Sequence, residues 1–418
     1  IFMQLPRVPY NFRIPDLPPY PARSSHVYKL VKDLYGLKDA GRTWHEFLHQ
    51  GLLRRGWHPS SIDPCLYTKT NIALVIYVDD ACLMSPDKAL IRTKILSLQK
   101  EFQLTSEGVL KDYLGTRFTR NSDGSLTLSQ PRMVRRILNL VGLDPSASRT
   151  KLHDTPACDR DLLDQDPLGL PHTYSWNYRA VVGSLSYLQA MIRPDLTMSV
   201  QQCARFCNNP QQLHAQALKR ICRYLLKTHD MGLTLRPDPS RGLECYVDAD
   251  WAGSWQMRSS HDPQSARSRT GYVIMYAGCP IIWASKMQSL VALSTTEAEY
   301  IALSSSLREV IALMNLMNEL TSRGFLLNKT IPKVHCTVFK DNCSCIEVTT
   351  NHRTRPCTKH LSVRLHHFHS HILAKTISIQ HISTKLQIAD LFTKPLARDQ
   401  FVRLRDQFMG WGSLAVRE

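Results

Sequence analysis

The succession of strand-like and helix-like segments predicts a multidomain chain of α/β and α+β units, with an α/β domain on a mixed sheet in its C-terminal part. Three observations predict it. The 418 residues exceed the roughly 100 to 200 that one domain usually holds. Two short apolar runs, Ala73 to Val78 and Ala81 to Met84, flank Asp79 and Asp80 in the pattern of a β-hairpin with carboxylates at its tip. From Glu244 onward, three strand-like runs precede any helix and then helices and strands alternate.

The elements follow in order. The first 40 residues are rich in proline, and residues 41 to 57 then place Trp44, Phe47, Leu48, Leu52 and Leu53 at the spacing of an amphipathic helix. After the hairpin, residues 88 to 104 and 131 to 141 read as helices, and Asp144 to Trp176 as a linker or long loop broken by proline, aspartate and serine. Residues 177 to 230 return to helices, with Ala204, Leu218, Ile221, Leu225 and Leu226 as core and Lys219, Arg220, Arg223 and Lys227 on the other side. Strands are then expected at Glu244 to Asp248, Gly271 to Ala277 and Pro280 to Ser285, followed by a long helix from Thr295 to Leu320. A strand from Val334 to Lys340, one or two helices, a strand from Thr376 to Ile382 and a final helix complete the pattern, without internal repeats.

Apolar residues at 43% and charged residues at 21% describe a folded globular chain. The net charge of +17 makes a polyanion the natural partner, although a merely soluble basic protein can carry the same excess. The 12 cysteines show no C-x-x-C spacing, which argues against a zinc ribbon or a disulfide scaffold and for a reducing intracellular compartment. No apolar run is long enough to span a bilayer, so no membrane role is expected. The opening Ile1-Phe2-Met3-Gln4-Leu5-Pro6 lacks an initiator methionine and reads as the interior of a longer chain, so a fragment is expected.

Adjacent carboxylates repel and raise each other's pKa unless something neutralises them, and divalent metal does so. A polar hairpin turn is the ordinary reading of Asp79-Asp80 alone. Upstream of it, however, Leu34 to Trp44 reads LYGLKDAGRTW, and Glu101 to Arg120 downstream reads EFQLTSEGVLKDYLGTRFTR. With IFMQLP, these segments resemble the reverse transcriptase of copia-type LTR retrotransposon Pol polyproteins, and the resemblance covers essentially the whole chain. It implies that Asp79 and Asp80 are catalytic metal ligands of a polymerase palm, holding two Mg2+ (or Mn2+) ions. It places Gly36, Lys38, Arg42 and Trp44 near the incoming deoxynucleotide and the template. It also implies a third aspartate and a fingers region upstream of Ile1, so this fragment alone is not expected to polymerise DNA. Asp39-Ala40-Gly41 stands where the family usually has Gln-Ala-Pro.

A second constellation lies further on. Tyr246-Val247-Asp248 and Val338-Phe339-Lys340-Asp341 each put an aspartate at the end of an apolar strand. Ser294 and Glu297 match a capping box, so Glu297 is assigned to the start of the long helix, and Glu299, one turn in, is either the partner of Thr296 in a second box or free for other work. Asp390 is expected in the first turn of the last helix, where negative charge is favoured anyway. The order Asp248, Glu299, Asp341, Asp390 on strand, helix, strand and helix resembles RNase H. By that resemblance the four are catalytic, hold two magnesium ions, and act on the RNA strand of an RNA·DNA hybrid.

Arg258, Arg267 and Arg269, in the stretch from Ser254 to Thr270, are candidates for nucleic-acid phosphate contact, or else residues of a solvated loop. His352, His360, His366, His367, His369, His371 and His381 read as surface or packing histidines, with His360 a weaker candidate for product release or proton transfer; Ser362 stands where many relatives have aspartate. Residues 1 to 130 are expected to be a partial palm, 131 to 240 a thumb or connection region, 241 to 398 the RNase H-like domain and 399 to 418 a tail. By resemblance the partners are an RNA template, the hybrid, deoxynucleotides and other Pol parts, in a cytoplasmic particle with onward nuclear entry. The rival expectation is a decayed remnant that only binds nucleic acid.

Overall fold

The computed structural model describes residues 2–4, 27–30, 33–34, 36–144, 151–158, 162–164, 169–257, 262–327, 333–350 and 367–412. They fall into two compact units, Ile1–Ser106 and Glu107–Glu418, so the first break comes earlier than the boundary expected at residue 130.

In the first unit, β1 (Phe2–Gln4) pairs antiparallel with β2 (Val27–Lys29). Helix α1 (Ala40–Arg54) is followed by β3 (His58–Pro59), β4 (Leu66–Lys69), β5 (Ile72–Tyr77) and β6 (Asp80–Met84), an antiparallel sheet in sequence order. Leu52 of α1, Tyr67, Ile72 and Leu74 of the sheet, and Leu98 of α2 (Lys88–Gln99) form its core together with Trp57 and Phe102. The Asp87 carboxylate starts α2 by accepting from the Ala89 N–H at 2.8 Å. This helix stops short of residue 104. Phe102 turns into the core, and Glu101 beside it is held by Arg54, the last residue of α1, and by Arg55 just after it.

The second unit begins with β7 (Asp112–Tyr113), β8 (Thr116–Arg120) and β9 (Leu126–Ser129), then helices α3 (Pro131–Leu140), α4 (Tyr178–Met191), α5 (Thr197–Ala204) and α6 (Gln212–Lys227). Strand β10 (Leu233–Leu235) returns to pair with β9. Between α4 and α5, the fully buried Arg193 guanidinium meets Asp195 at 2.7 and 2.9 Å and Thr228 Oγ1 at 2.7 Å, while the Tyr224 hydroxyl donates to Asp195 at 2.7 Å. This satisfied network pins the connection onto α6.

Next come β11 (Leu243–Asp250), β12 (Arg269–Tyr276), β13 (Cys279–Met287), α7 (Thr295–Ser322), β14 (Cys336–Lys340), α8 (Cys343–Thr350), β15 (Ile377–His381) and α9 (Arg398–Met409). The sheet order is β13-β12-β11-β14-β15, with β12 antiparallel to its neighbours and β14 and β15 parallel to β11. It is the mixed sheet that three strands before any helix predict.

Both faces of this sheet are covered, which is why its strands are apolar almost throughout. Leu243, Cys245 and Val247 of β11, with Cys336 and Val338 of β14, pack against α7. Tyr246 of β11 and Val273 and Met275 of β12 belong instead to the core that holds α3, α4, α6 and α9. The region expected as a separate thumb or connection therefore shares one core with the mixed sheet.

Two expectations are corrected. Residues 398–409 form a helix rather than a tail, with Phe401, Leu404, Phe408 and Met409 buried in that shared core. Asp390 lies in a short 3-10 turn, Ile388–Phe392, rather than in the first turn of a long helix. Pro395 accounts for the stop, since a proline disfavours helical backbone before it and removes a donor.

Candidate active site

Strand alternation decides which acids can meet. Asp248 follows Tyr246 on the β11 face turned away from α7, and Asp341, just past β14, follows Phe339. Glu299, in the second turn of α7, comes from the opposite face at the end of the sheet. One carboxylate oxygen from each of Asp248, Glu299 and Asp341 lies within 4.8 Å of the others, the kind of oxygen-rich cluster a hard divalent cation takes. Among the described residues this is the group of acids that could hold a metal ion. Asp390 is fully buried beside them and is linked through Lys394, whose Nζ stands 2.9 Å from Asp390 and 3.8 Å from Asp248.

Neighbouring hydroxyls orient two of the carboxylates. Thr393 Oγ1 donates to Asp248 Oδ2 at 2.6 Å, and Thr384 Oγ1 donates to Asp341 Oδ2 at 3.1 Å. The Thr393 bond depends on Gly271, which pairs with Asp248 across β11 and β12. A Cβ at 271 would stand 2.6 Å from Thr393 Cγ2 and 2.8 Å from Phe392 Cβ. Glycine inside a strand here marks a close approach of another segment.

The electrostatics are those of acids removed from water without full compensation. Burial pushes Glu299 up to about 7, against the pull of the Lys340 ammonium and with further upward push from Asp248. Burial and then Asp248 push Asp390 up to about 7, against Lys394. Burial would lower Lys394, but the Asp248 and Asp390 carboxylates outweigh it and raise the ammonium's pKa. Lys340 is fully buried and holds Glu299, with its ammonium also donating to the Val247 carbonyl at 3.3 Å. Glu297 has the capping role expected of it. Its N–H donates to Ser294 Oγ at 3.2 Å and its carboxylate accepts from the Leu293 N–H at 2.8 Å.

In the first unit, Asp79 and Asp80 are exposed at the β5-β6 turn, with Asp80 paired opposite Tyr77. Trp44 Nε1 donates to the Val78 carbonyl at 2.9 Å, so the structure brings Trp44 to this hairpin. Gly36 adopts φ +95°, which favours glycine. Lys38 is exposed. Arg42 is exposed and 3.6 Å from Asp39, a pairing worth at most about 1 kcal/mol in water.

The basic loop needs correction. Arg258 and His360, like His352, His366 and Ser362, lie outside the described residues. Arg267 is half-buried. Arg269 is 2% exposed and donates to Ser285 Oγ at 3.0 Å, so it does not present itself to a phosphate. Strand β12 starts at Arg269, opposite Asp250, and carries it inside. Burial lowers its pKa to about 10. Lys340, Lys394, Thr393, Thr384 and Gly271 are functional neighbours that the sequence reading did not single out. Gly271, a lone glycine in an apolar strand, and Thr393-Lys394, one turn beyond Asp390, were the available signals.

A family model for reverse transcriptase (RNA-dependent DNA polymerase) matches residues 18–151. The chain is 33% identical over 383 residues to the retrovirus-related Pol polyprotein from transposon RE1 of Arabidopsis thaliana, covering 91% of this chain and 25% of the relative. It is 33% identical over 390 residues to the corresponding polyprotein from transposon TNT 1-94 of Nicotiana tabacum, covering 90% and 27%. The chain thus spans about a quarter of the length of these curated relatives. Among solved structures, LC11-RNase H1 in complex with RNA/DNA hybrid aligns over 36% of this chain and 93% of its own, at 14% identity and a TM-score of 0.25.

Proposed function

Because the chain belongs to the copia-type retrotransposon Pol polyprotein family, with an RNase H-like domain after its reverse transcriptase region, we propose that this domain hydrolyses the RNA strand of an RNA·DNA hybrid. The observation that carries the proposal is the meeting of Asp248, Glu299 and Asp341 within 4.8 Å, with Asp390 buried beside them. Acids so buried fit divalent metal, which compensates the charge that Lys340 and Lys394 leave over.

Asp248, Glu299, Asp341 and Asp390 would hold two magnesium or manganese ions, which would supply activation of a water and stabilisation of the leaving 3′ oxygen of the phosphodiester. The chain's own residues do the positioning. Thr393 and Thr384 hold one oxygen each of Asp248 and Asp341, and Gly271 admits Thr393 to its place. The excess positive charge favours approach of the hybrid backbone, with Arg267 a candidate phosphate contact. Selection of RNA requires contacts to the 2′-hydroxyl.

We propose that Asp79 and Asp80, with Gly36, Lys38, Arg42 and Trp44 nearby in sequence or space, serve the polymerase site of the intact polyprotein on deoxynucleotide and template. Within the family's life cycle, such a chain works beside the other Pol parts in a cytoplasmic particle and then in the nucleus.

The test offers a labelled RNA·DNA hybrid, an RNA duplex and single-stranded RNA to the folded chain with magnesium. Cleavage confined to the hybrid supports the proposal. Hybrid binding without cleavage supports instead a remnant that only binds nucleic acid.

A further inference from the structure

Lys340 is a buried lysine whose position no chemistry described so far requires. It ends β14, next to Asp341, and alternation turns it toward α7, where its ammonium reaches Glu299 and the Val247 carbonyl. A lysine takes such a place at high desolvation cost, which only a partner charge offsets. An apolar residue would continue the pattern of Cys336 and Val338, which face the same core.

Charge counting sharpens the point. Asp248, Glu299, Asp341 and Asp390 bring four negative charges, and Lys340 and Lys394 bring two positive ones, a nominal balance of −2. Lys394 is partly open to solvent, with a side chain 37% exposed, and can swing away, whereas Lys340 is sealed at 0%. The permanent internal charge is therefore the one on Lys340.

We propose that Lys340 is a built-in counter-ion of Glu299, a positioning residue that holds this carboxylate in the metal-free site and weakens metal binding by competing with the cation for its charge. The inference rests on the reading of the carboxylate cluster as a metal site. It makes a directional statement that a packing role does not. If Lys340 only braced Glu299, removing it would loosen the ligand and weaken metal binding. If it competes, removing its charge tightens metal binding.

The experiment is calorimetric titration of the full chain with MgCl2, comparing wild type with Lys340→Met and with Lys340→Gln, the second retaining an N–H donor for the Val247 carbonyl. The expected result is a Kd for magnesium lower by about tenfold in the uncharged variants, equivalent to about 1.4 kcal/mol. The metal-free variants also melt at lower temperature. An unchanged or raised Kd in a folded variant overturns the inference while leaving the metal site standing. No magnesium heat in folded wild type or either variant removes the metal-site reading itself. If Lys340→Met does not fold, Lys340→Gln decides, and if neither folds, a magnesium-bound crystal structure of wild type does. Lys340 Nζ drawn away from Glu299 then supports the inference, and an unmoved contact overturns it.

Discussion

Thr393 Oγ1 donates a 2.6 Å hydrogen bond to Asp248 Oδ2, joining the segment after the Asp390 turn to the strand that carries the first acid of the cluster. The contact spans 145 positions of sequence and, in the proposed metal site, fixes which Asp248 oxygen is left to the cation. Residues that orient a metal ligand in this way matter nearly as much as the ligand.

Replacing Thr393 by valine keeps its volume and removes the donor. The expected effect is a loss of about tenfold to a hundredfold in hybrid cleavage or magnesium affinity, with a far-ultraviolet circular dichroism spectrum like that of wild type. Initial rates across a magnesium series measure it, and an unaltered rate at every concentration contradicts it.

The buried acids set a pH dependence. Glu299 and Asp390 are both pushed up to about 7 in the folded chain, against about 4 for such groups in an unfolded one. Their folded pKa values are raised, so the stability they contribute is fully present below about pH 4 and is lost as pH rises toward 7. With a chelator present, the melting temperature should fall between about pH 4 and 7, and magnesium should restore most of that loss at the upper end. Glu299→Gln should reduce the slope. A metal-free wild type whose melting temperature varies no more with pH than that of Glu299→Gln contradicts the assignment.

In the first unit, the Trp44 indole holds the Val78 carbonyl at the turn carrying Asp79 and Asp80. Val78 has φ +57°, an uncommon conformation for a β-branched residue that its surroundings must maintain. Trp44→Phe removes the donor at a cost of about 1 kcal/mol. Amide hydrogen exchange at Asp79 and Asp80 should accelerate by about fivefold relative to β4, by the equivalence of about 1.4 kcal/mol to a factor of ten. Equal exchange in both proteins sinks the idea.

Much of the fold was legible because its strands and helices obey their periods. The long helix from Thr295 and the three strands before it appear where alternation and capping put them, and Ser294 and Glu297 act as the capping pattern says. Asp248, Glu299 and Asp341 were legible from two apolar strands and the start of a long helix, and they lie within 4.8 Å of one another, whereas Asp390 sits in a short 3-10 turn instead of the helix start expected for it.

What was missed has physical causes. Phe401, Leu404 and Phe408 carry a helical apolar spacing, but what α9 packs against is set by tertiary contacts with α6 and the sheet. Arg269 looked like a loop residue because the strand start is invisible locally, and pairing with Asp250 draws it inside. Lys340 carries no local mark of its role, since its meaning comes from an acid 41 residues upstream in sequence, whereas the signal for Lys394 was Asp390, one turn before it.

The most direct test of the central claim is magnesium-dependent cleavage of the RNA strand in a labelled RNA·DNA hybrid by the folded chain, set against Asp248→Asn. Cleavage that requires magnesium and disappears in the variant is the predicted result. Cleavage that survives Asp248→Asn, or its absence from a folded, magnesium-saturated wild type, contradicts the claim.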